Sequence, residues 1–183
     1  MRVLYVLLGV VAVVILWAIS TYNKLVKMDN LRQEGWSGID VQLKRRFDLI
    51  PNLVSTVQGY ASHEKETFQQ ITQARAAIGQ AQTVAQRAQS ENMLSGALKS
   101  LFAVAENYPE LKANTNFLQL QETLSTIEDE IQMARRYYNG TARNFNIAIA
   151  SFPALLIAKP AGYTKAEYFE AEESETALPH VNF

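Results

Sequence analysis

The chain has 183 residues, with 17 Lys and Arg against 18 Asp and Glu, and its formal net charge is −1. This length suffices for one domain with its own core, and the hydrophobic content of 48% leaves room for a membrane segment outside that core. The balanced charge lacks the basic excess of a dedicated nucleic-acid-binding domain, and the absence of cysteine excludes disulfides, thiolate nucleophiles and cysteine-ligated zinc.

The first predicted element is an apolar N-terminal helix. No charged residue lies between Val3 and Ile19, and residues 20–22 extend this run to about the 20 residues that cross ~30 Å of hydrocarbon. A cleaved signal peptide is the alternative, with a small-residue site at Ala18-Ile19-Ser20. The run is longer than the roughly 7 to 15 apolar residues of a signal peptide, so we predict a retained transmembrane anchor over residues 1–22.

Charges on either side of this segment predict its orientation. Arg2 precedes it, whereas Lys24, Lys27 and Arg32 follow it closely. Positively charged flanks tend to stay in the cytoplasm, so the rule favours a C-terminal domain on the cytoplasmic side.

The rest of the chain to residue 151 is predicted to be helical. Apolar residues recur at alternating spacings of three and four in a long bundle-forming helix. Similar registers run over Trp36–Ile50 and Leu53–Ile78, and compatible spacing occurs over Ala85–Tyr108. The positions in the longest register are Phe117, Leu120, Leu124, Ile127, Ile131, Ala134, Tyr138, Thr141, Phe145 and Ala148.

These patterns predict an all-α fold, because no stretch shows strand-like alternation. We expect the N-terminal transmembrane helix to be followed by an antiparallel up-down four-helix bundle over residues 23–151, with coiled-coil-like packing. An irregular C-terminal tail, first apolar and then acidic, would occupy residues 152–183.

Pro51 is predicted to separate the first two bundle helices. Proline disfavours helical geometry at the preceding Ile50 and suits the first turn of a new helix, so the sequence "DLIP" is typical of a tight break. The alternative is a proline kink within one continuous helix. We favour the break, because the first bundle helix needs an antiparallel partner.

Three consecutive cations, Lys44, Arg45 and Arg46, precede that proline. If the first helix began near the membrane, they would lie roughly 40 Å from it, too far for lipid contact. We expect them to stabilise the C-terminal end of this helix and to meet Glu106 and Glu110 at the distal tip of the bundle.

Arg46 differs from its neighbours because its register places it between the apolar residues Leu43 and Ile50. Its guanidinium must either extend to water or pair with a carboxylate. The expected partners are Asp48, Glu106 or Glu110.

Two further groups are candidate interaction residues. Arg135, Arg136, Tyr137 and Tyr138 are interpreted either as a core tyrosine flanked by solvated cations or as contacts to another protein. The second group lies in the apolar run of residues 152–158, which is too short to span a bilayer and could pack on the bundle, on the membrane surface or on a neighbouring subunit. Its members are Phe152, Leu155, Leu156 and Ile157. The acidic residues between Glu167 and Glu175 are expected to be solvated.

No pattern in the sequence predicts catalysis. The "HEKE" stretch at His63–Glu66 lacks the second histidine of a zinc site, since Thr67 occupies that position. Paired Glu-x-x-His motifs for a di-iron site are absent from the sequence, and serine and threonine side chains lack a hydrolase elbow. We therefore predict no catalytic residue, no cofactor and no metal site.

Several stretches resemble the LemA family of bacterial membrane proteins. They are the apolar anchor, "YNKLV", "WSGIDVQLKRRFDLIPNLV", "GYASHEKE", "ARRYYNGTARNFN", "FP" and the final "HVNF". The resemblance extends over almost the whole chain and is most specific between Trp36 and Val54. It implies a single membrane helix with a short extracytoplasmic N-terminus, a helical-bundle domain and residence in the bacterial cytoplasmic membrane. It supplies no catalytic residues.

These expectations lead to two functional hypotheses. The first is a non-enzymatic scaffold that is anchored in the lipid bilayer and assembles with itself or with another membrane protein. The second is an adaptor or regulator of a membrane enzyme such as a protease, which would be bound by the tail and by the distal basic tip, where Arg45 and Arg46 are candidate interaction residues. Neither hypothesis involves nucleic acid.

Overall fold

The computed structural model describes residues 1–169, and every regular element in that range is helical. No strand occurs among these residues. The fold is therefore all-helical, with a long N-terminal helix that begins with the apolar segment. In chain order the helices are α1 (Arg2–Gln58), α2 (Lys65–Gln80), α3 (Val84–Ala105), α4 (Pro109–Lys112), α5 (Thr115–Ala150) and α6 (Leu155–Ala158).

Local sequence explains where the shorter helices begin. Thr83 and Gln86 form a reciprocal capping box at the start of α3, which satisfies two backbone N–H groups. Pro109 occupies the first turn of α4, where its missing N–H is not needed. At the start of α5 the side-chain oxygen of Asn114 accepts a hydrogen bond from the backbone N–H of Phe117.

The predicted helix break at Pro51 is wrong, because α1 runs through this residue without interruption. A single buried stripe continues across the proline at spacings of three and four residues. It contains Leu43, Arg46, Ile50, Leu53 and Val57. Burial of this stripe outweighs the lost backbone hydrogen bond of the proline. The chain instead turns after Gln58, over residues 59–64.

The chain divides into two compact units. Unit 1 comprises residues 1–37 and 136–167, and unit 2 comprises residues 38–135 together with the described residues 168 and 169. Helices α1 and α5 each contribute to both units.

Unit 2 has a core built from five helices and the turn after α1. In α3 the buried positions recur at helical spacing on one face, as expected for a helix packed on its neighbours. The buried apolar residues of this cluster are Ile50, Leu53, Val57, Ala61, Phe68, Ile71, Ala74, Ile78, Leu94, Ala97, Leu98, Leu101, Ala105, Leu111, Phe117 and Leu124.

Unit 1 is smaller and pairs α1 with the second half of α5. Leu25 of α1 packs with Phe145 and Ile149 of α5 and with Ala158 of α6, so all three helices meet in this cluster. The following loop is held in place by Asn146, whose side chain forms two hydrogen bonds with the backbone of Ala166.

The first part of α1 has no protein contacts that bury it. Among residues 1–169, α1 is the one helix that is long and apolar enough to cross a membrane, judged by length and composition. All the large apolar side chains from Val3 to Leu16 are exposed. An exposed apolar surface of this extent is typical of a segment that lies in lipid.

Candidate functional site

The most unusual buried group in unit 2 is the guanidinium of Arg46. Only 2% of this residue is exposed, and its Nη2 donates to the Glu91 carboxylate at 2.5 Å. Its Nη1 donates to the Glu128 carboxylate at 2.6 Å and to the Ser95 hydroxyl at 3.0 Å. Arg87 completes the network by donating from Nε to the other Glu91 oxygen at 2.7 Å. The network thus links α1, α3 and α5.

These contacts correct the predicted partners of the basic triplet. Arg46 pairs with Glu91 and Glu128 rather than with Asp48, Glu106 or Glu110. The three cations do not end a helix, because α1 continues to Gln58, so they have no helix terminus to stabilise. Asp48 instead pairs with Lys44 on the surface, and Arg45 pairs with Glu130 of α5.

Burial and charge act in opposite directions on Arg46. Desolvation favours the neutral guanidine, but the carboxylates of Glu128 and Glu91 and their hydrogen bonds favour the charged form. The net effect raises the pKa of Arg46 above its ordinary value. The residue is therefore a permanent cation inside the unit, paired with two carboxylates, and it does not release a proton as an acid catalyst would.

Helical spacing explains how Glu91 reaches Arg46, and the prediction missed this residue. Glu91 occupies the buried face of α3 between the buried residues Ala88 and Leu94. A carboxylate at a core position is rare unless it is paired. The same signal that singled out Arg46 in α1 could therefore have identified its partner in α3.

A groove of about 270 Å³ lies beside this network in unit 2. Its lining combines apolar residues with the cations Lys99 and Arg135 and the carboxylate of Glu128. The guanidinium carbon of Arg135 also lies 5.1 Å from the ring centroid of Phe169, which is fully buried. The lining residues are Asn92, Ser95, Leu98, Lys99, Phe102, Leu124, Glu128, Gln132 and Arg135.

In unit 1, Tyr138 connects α5 with α1 and with the loop before residue 168. Its ring meets Trp36 edge-on at 5.6 Å between centroids, and its hydroxyl donates to the carbonyl of Glu167 at 2.8 Å. Burial raises the pKa of Tyr138, although Arg32 partly opposes this effect. Tyr138 is therefore a neutral core residue.

The close approach of the two helices near Tyr138 requires a glycine at position 35. A Cβ added at Gly35 would lie 3.2 Å from the Tyr138 Cα and 3.3 Å from the Thr141 hydroxyl oxygen. The sequence analysis did not single out this glycine. The sequence carried a hint, because glycine lowers helix stability and is retained in a helix where packing demands it.

The remaining candidate interaction residues differ in exposure. Arg136 and Tyr137 are exposed on α5, whereas Arg135 is half-buried. Phe152 and Leu156 are exposed at the end of unit 1, and Leu155 and Ile157 are half-buried. The predicted acidic stretch beyond Phe169 lies outside the described residues.

The arrangement of unit 2 offers no evident reaction centre. Within residues 1–169 no group of three or more His, Cys, Asp or Glu side chains is placed to hold a metal. The buried carboxylate of Glu91 accepts hydrogen bonds from two arginines, and the Ser95 hydroxyl of the same network donates to the Glu91 backbone carbonyl. Such a network fixes the alignment of three helices.

Together, the all-helical fold and the exposed apolar start of α1 define a class of membrane-associated helical proteins. The chain belongs to the LemA family, whose family model matches residues 35–183. The matched region begins after the apolar segment and includes all of unit 2.

Individual relatives agree with this assignment. The chain is 32% identical to the protein LemA of Metamycoplasma hominis over 158 residues, covering 84% of this chain and 70% of that protein. It is 27% identical to the magnetosome protein MamQ 2 of Paramagnetospirillum magneticum over 175 residues, and 26% identical to MamQ of Magnetospirillum gryphiswaldense over 174 residues. The match covers 81% of this chain but 64% of each MamQ protein, less than two thirds of its length. None of these names describes an enzymatic activity.

Proposed function

We propose that this protein is a non-enzymatic, membrane-anchored helical scaffold that assembles with copies of itself. In this proposal, residues 1–22 anchor the chain, residues 23–151 form the assembling domain and residues 152–183 form an accessory tail. The domain is an up-down bundle of α1, α2, α3 and α5. Support for the bundle comes from the unit 2 core, to which all four helices contribute.

A stripe of three exposed residues and one half-buried glycine on α5 carries the self-assembly proposal. Tyr137, Gly140, Asn144 and Ile147 recur at spacings of three and four, all within unit 1. We call these four residues the α5 stripe. Tyr137 is 51% exposed and Ile147 is 58% exposed, although both are large and apolar.

The α5 stripe faces away from the unit 1 core. The buried positions of the same helix segment are Tyr138, Ala142, Phe145 and Ile149, on the opposite side of the helix. The exposed apolar side chains of Tyr137 and Ile147 on this outer face, with the small Gly140 between them, are suited to pack against another helix. Gly140 would permit close approach, since a Cβ there meets no atom within 4 Å. A second copy of α5 satisfies this requirement symmetrically, because two identical stripes can form a twofold interface.

Cysteine crosslinking in native membranes tests this proposal, because the chain has no cysteine of its own. We expect Tyr137→Cys and Asn144→Cys to give disulfide-linked dimers under mild oxidation. The control is Arg143→Cys, which is exposed on the same helix but outside the stripe. Equal crosslinking at all three positions, or none at the stripe, would contradict self-assembly through α5.

We also propose that the protein resides in the bacterial cytoplasmic membrane with its helical domain in the cytoplasm. The three cations that follow the apolar segment support this orientation. An enzyme reporter that is active only outside the cytoplasm, fused after Phe183, should be inactive. Activity of this reporter would show that the domain lies outside the cytoplasm, opposite to the proposed orientation. The scaffold proposal would not be affected.

A further inference from the structure

We infer that the connection between α5 and α6 is a second membrane contact, through which Phe152 and Leu156 enter the surface of the bilayer that α1 crosses. This inference rests on the proposed membrane anchor. We call residues 151–156 the corner. Its occupant is the lipid interface itself, and three observations within unit 1 support this choice.

The first observation is the position of the corner along α1. Thr21 and Lys24 line one groove together with Ser151 and Phe152. Thr21 lies at the end of the proposed anchor, residues 1–22. The corner therefore lies beside the end of the membrane segment of α1. Leu25 confirms this level, because it packs against Ile149 and Ala158 on either side of the corner. Six residues of helix separate Ile19 from Leu25, a distance of about 9 Å.

The second observation is the chemistry of the exposed side chains. Phe152 is 81% exposed and Leu156 is 59% exposed, whereas the neighbouring Ala158 is fully buried. Lys24 and Lys159 are exposed near them. Apolar side chains with nearby cations suit the boundary between acyl chains and headgroups, where apolar groups leave water and lysines reach anionic phosphates.

The third observation is that several backbone groups of the corner form hydrogen bonds within the chain. The N–H of Leu155 donates to the Ser151 carbonyl at 2.8 Å, and the N–H of Leu156 donates to the Pro153 carbonyl at 3.0 Å. The Ser151 hydroxyl donates to the Ile147 carbonyl at 2.7 Å. Backbone groups without partners are costly in lipid, so these internal bonds lower the cost of bringing the corner into the interface.

The arrangement would limit rotation and tilting of unit 1, which includes the anchor, in the bilayer. A single helix leaves a domain free to turn around the membrane normal and to tilt. A second contact beside the helix fixes which face of unit 1 approaches the lipid. The α5 stripe would then be presented at a constant angle to a neighbouring copy.

Spin labelling of the full-length protein tests this inference, because single cysteines can be introduced without background. Phe152→Cys and Leu156→Cys report on the corner, and Arg143→Cys on α5 is the aqueous control. Val10→Cys, in the middle of the apolar run, reports independently on the anchor. Each labelled protein is placed in vesicles of phosphatidylcholine and phosphatidylglycerol. The measured quantity is the ratio of collision rates with oxygen, which concentrates in lipid, and with a water-soluble nickel complex.

We expect the oxygen-to-nickel ratio at Phe152→Cys and Leu156→Cys to exceed that at Arg143→Cys several-fold, and to be highest at Val10→Cys. A corner ratio equal to the control, with a high ratio at Val10→Cys, would overturn the membrane contact and leave the anchor intact. Low collision rates with both reagents at the corner would also overturn the membrane contact, and would indicate that the corner contacts protein instead. A low ratio at Val10→Cys would overturn the anchor and this inference together.

Discussion

Arg46 shows how a single charged residue can determine the alignment of neighbouring helices in unit 2. Its guanidinium is bound by carboxylates from two other helices, and removing the cation would take this partner from Glu128 and leave Glu91 with Arg87 alone. Buried ion pairs add little net stability compared with apolar packing, but breaking one leaves an uncompensated charge. The network therefore contributes specificity for one arrangement of α1, α3 and α5.

Arg46→Met should destabilise the protein by about 3–5 kcal/mol, the usual cost of leaving a buried charge without its partner. Chemical denaturation of the purified protein in detergent would measure this loss. The double variant Arg46→Met with Glu91→Leu should recover part of it, because the buried carboxylate that has lost one of its two arginine partners is removed as well.

Lys44→Met provides the control for Arg46, since Lys44 belongs to the same triplet but pairs with Asp48 on the surface. Its effect should stay within about 0.5 kcal/mol. A similarly small effect of Arg46→Met would contradict the buried network and favour a side chain that merely reaches water.

Gly35 and Gly38 allow a matched comparison within one turn of α1. Gly38→Ala should stabilise the protein by about 0.5–1 kcal/mol through helix propensity, because its added Cβ meets no atom within 4 Å. Gly35→Ala gains the same propensity but forces the new methyl group against the backbone of Tyr138. Overpacking of this kind costs about 1–3 kcal/mol, so Gly35→Ala should be the less stable variant. Equal thermal midpoints for the two variants would show that the helices do not approach closely here.

At the level of single residues, part of the site could be predicted from sequence. The register of α1 placed Arg46 inside, and the register of α5 placed Tyr138 in the core, as the structure shows. Periodicity reports which face of a helix is buried but not which residue of another helix lies opposite. The partners Glu91 and Glu128 therefore required a three-dimensional structure.

The helical elements were predictable where the apolar period was long. The register from Phe117 to Ala148 lies within α5, and the segment Ala85–Tyr108 overlaps α3 closely. Pro51 was misread because local preference at one residue was given more weight than the buried stripe on both sides of it. The actual turn follows Gln58 and contains Gly59, and glycine is typical of turns.

Pro51→Ala tests the continuity of α1. An exposed proline inside a helix lacks one backbone hydrogen bond, so replacement by alanine should stabilise the protein by about 1–3 kcal/mol. Pro109→Ala is the control, because a proline in the first turn of α4 costs nothing and its removal should not stabilise. Thermal unfolding followed by circular dichroism measures both. Destabilisation by Pro51→Ala would indicate that the chain turns at this residue after all.

At the scale of the whole molecule, the membrane and the helical domain are connected through α1. This helix contains the apolar segment, part of the unit 1 core and the stripe that includes Arg46. The sequence predicted the anchor from length and composition alone, because a hydrocarbon layer imposes a simple requirement on a helix. The proposed self-assembly would depend on surface complementarity between copies. A single sequence offers no equally simple rule for predicting that complementarity.

The mass of the protein in detergent or nanodiscs tests the central claim of self-assembly most directly. Light scattering or native mass spectrometry should be applied to the full-length protein and to a variant that lacks residues 1–22. We predict a discrete oligomer in both cases, because the α5 stripe lies outside the anchor. Monomers in both cases would contradict the scaffold and favour an adaptor that binds a different membrane protein.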